Sequence, residues 1–137
     1  GSDEAIRTLT PGSEGSTFGG YPLACVVAVY AVKSIIDQNL SENARIRGSQ
    51  LMQHYLDLKD EFPDKIKDVR GKGLLTAFEM YNHKKLDAHT VSVELLKQGV
   101  YAKETHHSTI RIAPALTIEA WQIDNLAEAI RDVISSL

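Results

Sequence analysis

From Pro22 onward the hydrophobic residues become nearly continuous. Leu23-Ala-Cys-Val-Val-Ala-Val-Tyr-Ala-Val32 is followed by Ile35-Ile36, and the segment runs to about Asn39. The valines would suit a buried strand, but a stretch of this length without a breaker predicts a helix. Pro22 fits the first turn of that helix. A helix that is apolar on nearly every side must be covered on nearly every side. The remaining chain can cover one face or two, so the pattern calls for protein outside this sequence.

Beyond Asn39 the spacing changes. Ala44, Gly48, Leu51, Tyr55, Leu58 and Phe62 recur at intervals of four and three, which draws one apolar stripe on a helix that Ser41 would cap and Pro63 would end. Ile66 to Arg70 and Leu74 to Tyr81 then flank Gly71-Lys72-Gly73. In the second run Thr76, Phe78 and Met80 alternate with Ala77 and Glu79, the period of a half-buried strand. Asp87 can cap a third helix carrying Val91, Leu95 and Leu96, with Gly99 suited to its left-handed C′ position. Val100 to Lys103 and Thr109 to Ala113 read as short strands joined by Glu104-Thr-His-His-Ser108, with Ile110 and Ile112 facing one way and Arg111 the other. A last helix from near Thr117 sets Ile123, Leu126, Ile130, Val133 and Leu137 on one face. Ahead of all this, residues 3 to 21 hold Pro11-Gly12, Gly15 and Gly19-Gly20 among Ser and Thr, which is loop chemistry with room for one short helix. Strand pairs joined by short turns, with helices between, predict an α+β fold: a small antiparallel or mixed sheet of three or four strands covered by helices.

At 137 residues, 43% hydrophobic and 24% charged, the chain is ordinary globular protein able to bury a core. A net charge of −3 without clustered Lys and Arg gives no reason to expect nucleic acid. The longest unbroken apolar run, Leu23 to Val32, falls short of the roughly 18 residues of a membrane span. No charged-then-apolar leader opens the chain, so no secretion is expected. Cys25, the only cysteine, lies inside the apolar run and is expected to be buried and inert.

Three places carry candidate chemistry. Gly15-Ser16-Thr17-Phe18-Gly19-Gly20 is a plain loop or a phosphate cradle, since glycines let backbone N–H groups converge and the two hydroxyls can donate. It is not a P-loop, because no Gly-Lys-Ser/Thr follows. Arg111, mid-strand between isoleucines, either pairs with a nearby Glu or holds its planar fork ready for a carboxylate. Lys72 reads as a solvated lysine in a Gly-Lys-Gly turn rather than a lone base. Adjacent His106 and His107 point opposite ways in an extended loop and have no Cys or acidic ligand at useful spacing, so no metal is expected. No nucleophile elbow is present, and His54, His83 and His89 read as surface residues.

Three segments together resemble the class III pyridoxal-phosphate aminotransferases. Pro11-Gly-Ser-Glu-Gly-Ser-Thr-Phe-Gly-Gly-Tyr-Pro-Leu-Ala24 is similar to their Pro-Gly-x-His-Gly-Ser-Thr-Phe/Tyr-Gly-Gly-Asn-Pro-Leu stretch, and Val69-Arg-Gly-Lys-Gly-Leu74 to a turn of their small domain. Ala102-Lys-Glu-Thr-His106 with Ile110-Arg-Ile-Ala-Pro114 resembles the ornithine aminotransferase branch. Acetylornithine and 4-aminobutyrate relatives share the first two blocks and usually lack the Lys-x-Thr-His of the third. The resemblance implies a remnant of a large cofactor-binding domain over 1–21, a connector helix over 22–39 and a C-terminal small domain over 40–137. It implies that Ser16 and Thr17 reach the phosphate of pyridoxal 5′-phosphate in a homodimer partner, and that Arg111 meets a substrate carboxylate or a gating glutamate. The reaction implied is transfer of the δ-amino group of L-ornithine to a 2-oxo acid such as 2-oxoglutarate. The compartment implied is the cytoplasm, or the mitochondrial matrix in a eukaryote.

Two positions depart from the pattern. Glu14 stands where the family usually has His and Tyr21 where it has Asn; a carboxylate a few ångströms from phosphate costs roughly 1–4 kcal/mol. The cofactor lysine, the acidic partner of the pyridine nitrogen, the stacking aromatic ring and the substrate arginine all precede the Gly-Ser-Thr block in the family. No lysine here occupies the matching position, so this chain alone is expected to be inactive. A non-catalytic interaction module with the same fold is the alternative. With the Pro22 helix uncovered, the chain alone is expected to self-associate or to leave residues 3 to about 35 disordered or swapped onto a neighbour.

Overall fold

The computed structural model describes residues 2–10, 12–81 and 87–137. The chain divides into two compact units, Gly1–Gln38 and Asn39–Leu137.

The first unit holds a four-residue helix, α1 (Asp3–Ile6), whose first turn is capped by the Ser2 side chain, and the long helix α2 (Pro22–Asp37). Pro22 takes the first helical position as expected, where its missing N–H costs nothing. No residue of α2 is buried: Leu23 is 62% exposed and Val27 59%. The expectation that Cys25 is buried is therefore corrected, since its thiol is exposed. The cause lies in the all-round apolar pattern. A residue deep in such a run is buried only where something packs on the helix.

The second unit is an α+β sandwich of two layers. Among the described residues it contains α3 (Leu40–Glu61), β1 (Ile66–Lys72), β2 (Leu75–Met80), α4 (Ala88–Lys97), β3 (Lys103–Thr105), β4 (Thr109–Ile112) and α5 (Ala120–Ser136). The four strands form one sheet in the order β1-β2-β4-β3, antiparallel throughout. Helix α3 packs on β1 and β2, α4 on β3 and β4, and α5 against both helices. Each predicted stripe turns inward. Leu51, Tyr55 and Leu58 from α3, Val91 and Leu95 from α4, and Ile123, Ile130 and Val133 from α5 meet Thr76, Phe78, Met80, Ile110 and Ile112 of the sheet. Leu96, placed with Val91 and Leu95 by the sequence, instead stays 58% exposed.

Helix and strand boundaries differ from expectation in several places, most clearly at α3, α5 and β3. Asn39, not Ser41, precedes α3, in a left-handed conformation (φ 49°, ψ 41°) that Asn tolerates and that breaks the chain between α2 and α3. Helix α5 begins after Glu119 rather than near Thr117. The Glu119 side chain accepts from the Gln122 backbone, and Gln122 Oε1 accepts from the Glu119 N–H at 2.9 Å. That reciprocal pair holds the start three residues late. Strand β3 covers Lys103–Thr105 rather than residues 100–103, because Thr105 pairs with Thr109 across a tight turn. Asp87 caps α4 as expected, its Oδ1 accepting from the Thr90 N–H at 2.7 Å, and Gly99 follows that helix with φ 81°.

Candidate functional site

The Gly-Ser-Thr segment lies in the first unit, immediately ahead of α2. Phe18 to Tyr21 forms a turn in which the Phe18 carbonyl accepts from the Tyr21 N–H at 3.2 Å, with Gly20 at φ 77°. That is the position where a type II turn needs glycine. Gly19 is needed for a different reason: a Cβ there would lie 3.0 Å from Ser16 Cβ and 3.1 Å from its Oγ. Its absence lets the Ser16 side chain lie against the turn. Ser16 and Thr17 are both exposed, and among the described residues neither side chain makes a hydrogen bond, so both hydroxyls are open to a ligand. Tyr21 occupies the N-cap of α2 and supplies no side-chain cap, so the N–H groups of the first turn lack the partner that Asn would give. These donors suit a phosphate group. They offer nothing to hold a pyridine ring. Glu14 is exposed, and Pro11 lies outside the described residues.

Arg111 lies in the second unit, on β4, with its two isoleucine neighbours buried at 0% and 3% exposure. Strand alternation therefore turns it to the face of the sheet opposite the helices. Of the two readings left open by the sequence, pairing with a Glu is not what the structure contains: among the described residues Arg111 makes no side-chain hydrogen bond or ion pair. Its Cα partners are Ala77 on β2 and Lys103 on β3. Ala77 in turn faces Arg70 on β1, so one row across the sheet reads Arg70, Ala77, Arg111, Lys103. Arg70 differs from the other two cations, since it donates to Asp68 at 2.8 Å and Glu79 at 3.0 Å. Lys67 also reaches Glu79, at 2.7 Å, and its ammonium holds that carboxyl below the usual range, with the Arg70 guanidinium adding to the effect.

Two local devices position this strand. The β1–β2 hairpin closes through Gly73-Leu74, flanked by the pair Lys72↔Leu75, with Gly73 at φ 55° in the place a type II′ turn reserves for glycine. Lys72 is thus the last residue of β1 rather than the centre of a Gly-Lys-Gly turn, although it is exposed as expected. On the other side, Asn43 of α3 donates from Nδ2 to the carbonyls of Leu116 at 2.7 Å and Ile118 at 3.0 Å, anchoring the chain that leaves β4.

Among the described residues, His54 lies apart from His89, His106 and His107. His106 and His107 form the β3–β4 turn with φ of 52° and 62°, a left-handed pair rather than the extended loop expected. The His107 carbonyl accepts from Ala88 at the start of α4. His89 faces Glu104 at 3.0 Å and His54 faces Asp124 at 2.9 Å. An open cavity of about 560 Å³ lies among Asp87, His89, Glu104, Thr105, His106 and His107. Among the described residues no group of His, Cys, Asp or Glu has metal-binding geometry, and no single helix is long and apolar enough to cross a membrane. His83 lies outside the described residues. Lys103 carries no signal in the sequence, because only the hairpin register places it beside Arg111.

The family model described as aminotransferase class-III matches residues 1–134. Among curated relatives, the mitochondrial ornithine aminotransferase of Oryza sativa is 38% identical over 133 residues, covering 96% of this chain and 28% of the relative. Ornithine aminotransferase 1 of Staphylococcus aureus is 36% identical over 135 residues, covering 98% and 32%. Among solved structures, acetylornithine aminotransferase from Elizabethkingia anophelis superposes with a TM-score of 0.85 at 36% identity, over 96% of this chain and 33% of that one. Plasmodium falciparum ornithine δ-aminotransferase gives 0.83 at 34% identity, over 98% and 34%. The chain thus spans about a third of the length of the relatives it matches. With the family model covering nearly every residue and the fold superposing on solved members, the chain belongs to the class-III aminotransferases.

Proposed function

We propose that this chain is the C-terminal part of an ornithine aminotransferase, whose whole enzyme transfers the δ-amino group of L-ornithine to a 2-oxo acid such as 2-oxoglutarate, yielding glutamate 5-semialdehyde and glutamate. The observation that carries this reading is Arg111: a planar fork on an open sheet face, with no partner among the described residues, inside a motif of the ornithine branch. A fork of this geometry takes a carboxylate in two parallel hydrogen bonds, which a lysine could not do. Arg111 would receive a substrate carboxylate, or a glutamate that guards the site between half-reactions.

Pyridoxal 5′-phosphate, when bound, supplies the electron sink for amino transfer. Ser16 and Thr17 would hold its phosphate across the interface of a homodimer. Residues 1–21 belong to the large domain, 22–39 to a connector helix and 40–137 to the small domain. The exposed apolar surface of α2 supports this division, since it needs a cover of the kind a large domain and a partner subunit would give. Because the matching lysine is not among the residues of this chain, the chain alone has no transaminase activity and self-associates through α2. The compartment is the cytoplasm, or the mitochondrial matrix in a eukaryotic parent.

The test is to express the parent gene and assay glutamate semialdehyde formation from ornithine. Activity confined to acetylornithine would move the assignment to the acetylornithine branch, a reading favoured by the Elizabethkingia anophelis superposition. A non-catalytic module is favoured by Glu14 and Tyr21, which depart from the family pattern beside the residues that would hold the phosphate. It would show as subunit exchange with an intact aminotransferase and no activity of the parent.

A further inference from the structure

Lys103 and Arg111 are directly opposed on neighbouring antiparallel strands, where Cβ atoms sit about 5 Å apart and like charges destabilise the pairing. Among the described residues neither side chain has a hydrogen bond or an ion pair. The acids that could neutralise them are engaged elsewhere. Glu79 is held by Lys67 and Arg70 and Asp68 by Arg70, while Glu104 is opposed to buried Ile110 and so belongs to the other face, where it meets His89. Elsewhere in the same unit Arg45 pairs with Glu42, Arg131 pairs with Glu61 and Arg47 donates to Gln50. The other neighbour of Arg111 in its row is Ala77, whose methyl group leaves that side of the guanidinium open. Among the described residues of this unit, the sheet therefore carries two adjacent, uncompensated cations on the face that none of its helices covers.

We propose that Lys103 is a second recognition residue beside Arg111, and that the two together bind one carboxylate from outside this domain. Arg111 grips the anion with its fork, and Lys103 adds a point charge that strengthens the hold and relieves the repulsion between the strands. The inference rests on the reading of Arg111 as a carboxylate receptor. The carboxylate comes from a small oxo acid or from a glutamate side chain, and the two share the chemistry that the site recognises.

The experiment titrates the full chain with glutarate, and separately with a blocked Gly-Glu-Gly peptide, at constant ionic strength. The signals followed by NMR are the Arg111 Nε–H and the Lys103 side-chain methylenes. Saturable shifts at both residues are expected, and the tighter probe assigns the source. Lys103→Gln should weaken binding about fivefold, the factor that one unit charge about 4 Å away contributes in water. Lys103→Arg should restore it, and Lys97→Gln, on α4 in the helix layer, should leave it unchanged. Without any carboxylate, Lys103→Gln should raise the melting midpoint by about 1–5 °C by removing the cross-strand repulsion. Binding lost in Arg111→Gln but unaltered in Lys103→Gln would overturn the paired site and leave the reading of Arg111 standing. Binding retained in Arg111→Gln would overturn both. Absence of saturable shifts with either probe would also overturn the inference.

Discussion

Gly48 in α3 lies against the Gly73 turn between β1 and β2 so closely that a Cβ on Gly48 would come within 2.6 Å of Gly73 Cα and closer still to its carbonyl group. Helix and hairpin meet backbone to backbone. The contact sets how closely α3 approaches the β1–β2 hairpin. Gly71 adds a second close approach, since a Cβ there would lie 2.7 Å from the Leu75 carbonyl oxygen and 2.9 Å from Thr76 Cα. The two glycines of Val69-Arg-Gly-Lys-Gly-Leu74 thus serve two needs, one steric and one conformational.

The first prediction concerns Gly48→Ala. In an open helix this exchange would stabilise by roughly 0.5–1 kcal/mol. Here the backbone of Gly73 cannot yield cheaply, so a net loss of about 1–3 kcal/mol is expected. Urea denaturation of the chain, read as a shift in midpoint at unchanged slope, decides the sign.

The second concerns the buried chain of hydroxyls under the sheet. Thr76 Oγ1 donates to the Ile112 carbonyl at 3.0 Å, which leaves Tyr55 as the donor in the 3.2 Å contact between Tyr55 Oη and Thr76 Oγ1. Tyr55 also packs edge-on against Phe78, with ring centroids 5.6 Å apart. Tyr55→Phe removes a donor without orphaning Thr76 and should cost about 0.5–1.5 kcal/mol. Thr76→Val leaves a buried phenol unsatisfied and should cost about 1–3 kcal/mol. Equal losses in the two variants would show that Tyr55 finds another partner.

The third concerns pH. Backbone donation from Thr90 holds the Asp87 carboxyl below its usual range, and the hydrogen bond from His54, followed by that from Gln50, does the same for Asp124. A carboxyl lowered in the folded state contributes stability above its unfolded value of about 4 and loses it as pH falls through the lowered value. Asp87→Asn keeps a side-chain cap and removes one titrating group, so its melting midpoint should fall less steeply with acid. At the alkaline end the sign is opposite. Burial pushes the Tyr55 phenol upward, so its contribution is complete below about pH 10 and is lost as pH rises further. Parallel acid limbs for the wild type and Asp87→Asn would contradict the first of these assignments.

The fourth concerns the start of α2. Tyr21→Asn supplies the missing cap and should stabilise this helix by about 1 kcal/mol. The amide hydrogens of Leu23 and Ala24 should then exchange several-fold more slowly. Unchanged exchange at both would show that these groups are satisfied in another way.

The sequence by itself determined the element types, their order and their inward faces, because those follow from periodicities of two and 3.6 residues that neighbours in the chain supply. It also set the left-handed position of Gly99, the cap at Asp87 and the outward turn of Arg111. Terminal details escaped it: Asn39, Glu119 and Thr105 set boundaries through hydrogen bonds and conformations that compete closely with their alternatives. Exposure of Cys25 could not be read from its apolar setting, since burial belongs to whatever packs on a helix and not to the helix. The neighbourhood of Arg111 was decided only by tertiary structure. Strands β2 and β4 are separated by the whole of α4, and β3 meets β4 through a turn whose length fixes which residues oppose each other. A shift of that turn by one residue would have put Glu104, rather than Lys103, opposite Arg111. Register sums pairings over the entire sheet, so the charge beside Arg111 is a property of the folded molecule.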